Sequence, residues 1–78
     1  MNQIKVLGTG CASCKATEKL IRSVLEATGK AAQVEKVEDL PSIMKYGVLS
    51  TPGVVIDGKV VHAGGIPTRQ QVEQWLSA

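Results

Sequence analysis

Apolar and polar positions along the chain change period repeatedly, and the changes mark out seven elements. Ile4, Val6 and Leu7 make a short apolar strand, and Gly8 and Gly10 loosen the turn that follows it. From Ala12 to Thr28 the period is helical. Thr17, Leu20, Ile21, Val24 and Leu25 form one stripe, and Glu18, Lys19, Arg22 and Glu26 lie largely opposite. Glu18–Arg22 and Arg22–Glu26 have the i,i+4 spacing of helix-face ion pairs. Gly29 is placed to stop that helix. Residues Ala32 to Val37 alternate, as an edge strand with one wet face does. Asp39 can cap a helix over Leu40 to Tyr46, with Pro41 in its first turn and Gly47 at its end. After a break through Val48 to Gly53, Val54-Val55-Ile56 and Lys59 to Ala63 flank Asp57-Gly58, a strong two-residue hairpin signal. Gly64-Gly65 ends the second of these strands. Thr68 with Gln71 reads as a capping box opening a last helix to Ser77, with Val72, Trp75 and Leu76 turned inward. The order is β-α-β-α-β-β-α, in which the first two strands are parallel and the last two form an antiparallel hairpin.

Both cysteines lie where the first strand gives way to the first helix, in Gly8-Thr9-Gly10-Cys11-Ala12-Ser13-Cys14-Lys15. Residues i and i+3 at a helix start are neighbours, about 5–6 Å apart between Cβ atoms. That suits a disulfide, whose Cα atoms prefer a separation of roughly 4.4–6.8 Å. Cys11 would meet the unpaired N–H groups of the helix, whose partial positive charge stabilises a thiolate. A thiol so placed can drop from about 8.5 into the range ~3.5–7.5. The pattern points to thiol–disulfide chemistry, with Cys11 as attacking thiolate and Cys14 as resolving thiol.

Size and composition narrow the field. Seventy-eight residues allow one domain, residues 1–78, without a second core. Two cysteines three positions apart cannot staple distant segments, so their disulfide is not a scaffold. The N-terminal residues lack a signal-peptide pattern and no apolar run approaches the ~20 residues of a membrane span. The expectation is a cytoplasmic protein with no membrane partner. A net charge of +2, with one Trp, one Tyr and no Phe, offers nucleic acid neither a basic footprint nor stacking platforms. Nothing in the sequence calls for an oligomer, and a monomer is expected.

The chain is similar to small redox-active disulfide proteins of the thioredoxin/glutaredoxin type. The likeness is carried by Cys11-Ala12-Ser13-Cys14, by Tyr46 through Val61 with Thr51-Pro52 at its centre, and by Gly64-Gly65-Ile66-Pro67-Thr68. It spans almost the whole chain. The resemblance implies a minimal thioredoxin-like α/β fold: three helices and a four-stranded mixed sheet in order 2-1-3-4, with the third strand antiparallel to the first. It implies a cis bond at Thr51-Pro52, facing the cysteines. It implies Cys11 and Cys14 as catalytic residues, Thr51 and Pro52 as a platform for the substrate, and Gly10, Ala12 and Ser13 as the rest of its contact surface. No cofactor or metal is implied. The partners would be a disulfide-bearing protein or small molecule and a reductase or thiol donor. The chain departs from thioredoxins at Gly10, where they usually carry Trp, at the Ala12-Ser13 dipeptide, and in lacking a buried Asp on the first strand. Gly64-Gly65 is similar to the glutathione-binding corner of glutaredoxins, although the usual following Asp is missing.

Two other readings use the same residues. Gly-Thr-Gly-Cys-Ala-Ser-Cys resembles the metal loop of small heavy-metal-associated domains, and two thiolates can hold a soft ion such as Cu(I). Those domains run β-α-β-β-α-β, so element order separates the two. A redox-inactive interaction module is the third reading. Other side chains have plainer roles: Lys15 as a solvated first-turn lysine, His62 as a strand residue remote from the cysteines, Tyr46 as packing, and Trp75 as core.

Overall fold

The computed structural model describes residues 2–10, 12–48 and 50–77. Cys11, central to the sequence reading, and Leu49 lie outside the described residues. The elements are β1 (Asn2–Leu7), α1 (Ala12–Thr28), β2 (Ala32–Val37), α2 (Leu40–Lys45), β3 (Gly53–Ile56), β4 (Lys59–Ala63) and α3 (Arg69–Ser77). They follow the predicted order, and the bounds shift by a residue or two. Tyr46 caps α2 instead of ending it, and Thr68 precedes α3 as its cap.

The four strands form one mixed sheet, β2-β1-β3-β4. β1 runs parallel to β2, with α1 as the connection, and antiparallel to β3. The period-2 alternation of β1 sorts its side chains between two cores. Ile4 and Val6 join Ile21, Val24 and Leu25 of α1, Val54 of β3, and Val72 and Leu76 of α3. Leu7 goes to the opposite face with Val55, Val48 and Ile43 of α2. α1 and α3 therefore cover one face of the sheet and α2 the other. Trp75, expected inside, is instead half-buried at the margin of the larger core. An indole is large and rarely buried completely, and here it packs near the His62 ring, centroids 5.6 Å apart.

Local chemistry fixes the ends of the elements. Asp57 and Gly58 both have positive φ, 51° and 83°, which the tight β3–β4 hairpin needs. Asp57 also clasps β1: its carboxylate accepts from Gln3 N (2.9 Å), and its own N–H donates to Gln3 O (2.9 Å). The capping box forms as predicted, with Gln71 N donating to the Thr68 hydroxyl (3.1 Å) and Thr68 N to the Gln71 side chain (2.9 Å). On α1, Glu18 takes both Arg22 (3.1 Å) and Lys36 of β2 (3.4 Å), tying helix to edge strand.

Asp39 caps α2, accepting from Ser42 N (3.2 Å) and Ser42 Oγ (2.5 Å). The hydroxyl bond to the ionised form is the main reason its carboxyl lies below the ordinary 3.8. A carboxyl depressed in the folded state contributes stability that is fully present above its unfolded value and lost as pH falls through its folded one. Thermal unfolding of wild type and Asp39→Asn should therefore converge as pH drops below 3.8. A gap unchanged between pH 7 and the acid limit would show that the charge of the cap contributes nothing.

Candidate functional site

The end of β1, the first turn of α1 and the entry to β3 meet at one end of the sheet. β1 delivers Gly8, whose N–H continues the parallel pairing by donating to Val37 O (2.9 Å). α1 delivers Cys14, 5% exposed. The first turn of α1 is held by buried Thr17, whose hydroxyl donates to Ser13 O (2.8 Å). That bond satisfies the only buried polar side chain in the core among the described residues.

Gly8 and Cys14 touch so closely that no side chain fits at residue 8. A Cβ there would overlap Cys14 Sγ and lie 3.0 Å from Cys14 Cβ. The same point is 3.8 Å from Thr51 Cβ, so Thr51 and Cys14 flank one glycine. The sequence reading gave Gly8 only a loosening role in the turn. Its backbone is not left-handed, and the demand for glycine comes from a side chain six residues along, a tertiary contact that no local pattern announces.

The Thr51–Pro52 bond is cis. Pro52 is buried and Thr51 is exposed, so one edge of the break packs inward while the other faces solvent. Of the other residues expected to meet a substrate, Gly10 and Ala12 are exposed and Ser13 is half-buried. Gly10 has φ +81° with open space around it. Cys14 lies in disulfide linkage. The other cysteine of the chain is Cys11.

A small cleft is lined in part by Cys14. Val6, Gly8 and Gly10 line its floor, and Lys15, Lys36 and Glu38 bring charge to it. Lys15 is exposed, as expected of a first-turn lysine. Lys36 and Glu38 were not singled out from sequence: Lys36 reaches the cleft through its pairing with Val6, and Glu38 follows directly after β2. Among the described residues no three His, Cys, Asp or Glu side chains gather as a metal site.

Tyr46 packs against the smaller core and accepts a hydrogen bond from Lys5 Nζ (3.2 Å), whose ammonium stands 5.7 Å from the ring centroid. The bond to Tyr46 raises the Lys5 pKa. Both residues lie on the α2 face of the sheet, where Tyr46 has the packing role expected of it.

A mixed sheet ordered 2-1-3-4, with a helix springing from its first strand and a cis-proline opening its third, defines a thioredoxin-like α/β protein. The chain belongs to that family: residues 2–77 match the thioredoxin domain. It is 31% identical over 77 residues to a thioredoxin of Methanothermobacter thermautotrophicus, covering 99% of this chain and all of that protein. It is 33% identical over 75 residues to a thioredoxin of Methanocaldococcus jannaschii, covering 96% of this chain and 86% of that one. The element order, with β3 and β4 following α2, differs from the β-α-β-β-α-β of heavy-metal-associated domains. No helix among the described residues is long and apolar enough to cross a membrane.

Proposed function

We propose that the protein is a thiol–disulfide oxidoreductase that reduces disulfides through Cys11 and Cys14. The observation that carries this reading is the Cys14 disulfide in the first turn of α1, packed on Gly8 beside Thr51. Cys11 is the other half of the couple, being the chain's second cysteine. In the reduced protein the Cys11 thiolate attacks one sulfur of a substrate disulfide. A Cys11–substrate disulfide forms, the substrate S–S bond breaks, and the first substrate sulfur leaves as a thiolate that takes a proton from water. Cys14 then loses its proton and attacks Cys11 Sγ. This closes the Cys11–Cys14 disulfide and releases the second substrate thiolate. Two electrons pass from protein to substrate, and an external dithiol or reductase must return them.

The roles follow exposure and charge. Cys14, almost fully covered, is suited to an internal attack and not to meeting a bulky partner. Cys11, immediately before α1 in sequence, is the thiol that the helix start would activate. Thr51 and Pro52 form the substrate platform, with Gly10, Ala12 and Ser13 around the attacking sulfur. The exposed Thr51 offers backbone to an extended substrate segment by strand addition. Residues 1–78 act as one domain and a monomer, in a reducing compartment such as the cytoplasm, where a dithiol donor is at hand.

A redox titration of the metal-free protein in graded dithiol and glutathione buffers tests the reading, with disulfide content read by mass after alkylation. The expected result is one reversible two-electron transition, with a midpoint between about −270 mV and −200 mV, the span from thioredoxin to glutaredoxins. Absence of a reversible transition, with tight Cu(I) uptake in its place, would overturn it in favour of a metal carrier.

A further inference from the structure

We infer that His62 is a positioning residue, which holds the Gly64–Gly65 turn against Pro52 as a rigid wall of the substrate site. The inference rests on the oxidoreductase reading above and adds a residue to it. The register between β3 and β4 slips after Val54: Val54 pairs with His62, whereas Val55 pairs with Val60, so β4 carries one extra residue. Such a bulge re-aims side chains that strict alternation would send to opposite faces. Val61 packs on the larger core, and the neighbouring His62 also turns to that side, its ring 5.6 Å from that of Trp75 and tilted by 45°.

From that position His62 Nε2 reaches Gly65 O at 3.0 Å. A carbonyl can only accept, so the bond requires a proton on Nε2. One residue earlier, Gly64 N donates to Pro52 O (2.9 Å). The turn itself is two glycines with φ +84° and +75°, and has no side chain with which to hold its shape. A Cβ at Gly64 would also press within 3.0 Å of Ser50 Cβ, so the backbone lies directly against the segment that leads to Thr51 and Pro52. Two hydrogen bonds thus hold this turn from outside. One comes from Pro52 and the other from His62, which is itself braced by Trp75. The turn then leads to Ile66, which is 53% exposed.

If His62 merely decorates the surface, removing it leaves substrate recognition untouched. If it positions the wall, a peptide substrate long enough to touch the turn will notice and a small disulfide will not. His62→Ala should raise KM for a disulfide-bridged peptide about five- to tenfold, the scale of one hydrogen bond's net contribution. Turnover at saturation and the reduction of a small symmetrical aromatic disulfide should stay within about twofold of wild type. Amide exchange at Gly64 should accelerate in the same variant. His62→Gln, whose amide nitrogen can reach the place of Nε2, should restore KM and exchange, while the shorter His62→Asn should not. Equal loss on both substrates, an unchanged peptide KM, or failure of glutamine to rescue would overturn the role. Wild-type protein inactive on both substrates would instead bring down the oxidoreductase reading, and the wall with it.

Discussion

A Cys14→Ser variant is expected to attack a disulfide substrate and fail to let it go. The serine hydroxyl fits the space under Gly8 at least as easily as the sulfur does, so the fold should survive. The Cys11–substrate disulfide, however, would have no internal thiol to resolve it. Multiple-turnover reduction of a disulfide-bridged peptide should fall by roughly 10³-fold or more, since removing one member of a unit that acts together costs nearly the whole effect. Mass analysis without reductant should show one substrate chain bound to each protein. Cys11→Ser should be equally inactive and form no adduct, because its remaining thiol is only 5% exposed. An adduct through Cys14 in that variant would reverse the two roles, and an adduct in neither would remove the mixed disulfide from the mechanism.

Why the local elements around Cys14 could be read from sequence, and its surroundings only in part, follows from the range of the interactions. The Cys-x-x-Cys spacing, the caps of α2 and α3 and the Asp57-Gly58 hairpin all act within a few residues. Their geometry is written locally, and the structure carries the caps and the hairpin at the expected positions. The sheet order was legible only through resemblance. Lys36 arrives at the Cys14 cleft by strand pairing, and His62 turns toward Trp75 through a one-residue register slip. Neither leaves a signature along the chain. Trp75 shows the converse failure: hydrophobicity puts a residue near a core, but only the packing around it decides how deep it sits.

Gly8 tests how far the site depends on such long-range packing. Gly8→Ala places a methyl where Cys14 Sγ now sits, with β1 held on one side by the bond to Val37 O and α1 on the other by its core contacts. Overpacking of this kind costs about 1–3 kcal/mol, a large fraction of the ~4–12 kcal/mol that a chain of this size has in hand. Gly53→Ala is the control. Its new Cβ would meet the Val48 methyls at 3.0 and 3.2 Å and Leu7 Cβ at 3.5 Å, so it crowds the smaller core, and none of these nearest atoms belongs to Cys14. Both variants should unfold at lower urea concentration than wild type. Only Gly8→Ala should also change the redox couple, because a free Cys14 thiol can rotate away from the methyl about its Cα–Cβ bond, whereas a disulfide-linked one is held. The oxidised form then loses more stability than the reduced form, and the midpoint should become less negative, by about 30 mV for each 1.4 kcal/mol of difference. Equal potentials in the two variants would mean that the reduced sulfur is confined as tightly as the oxidised one. Gly8 would then serve the fold alone.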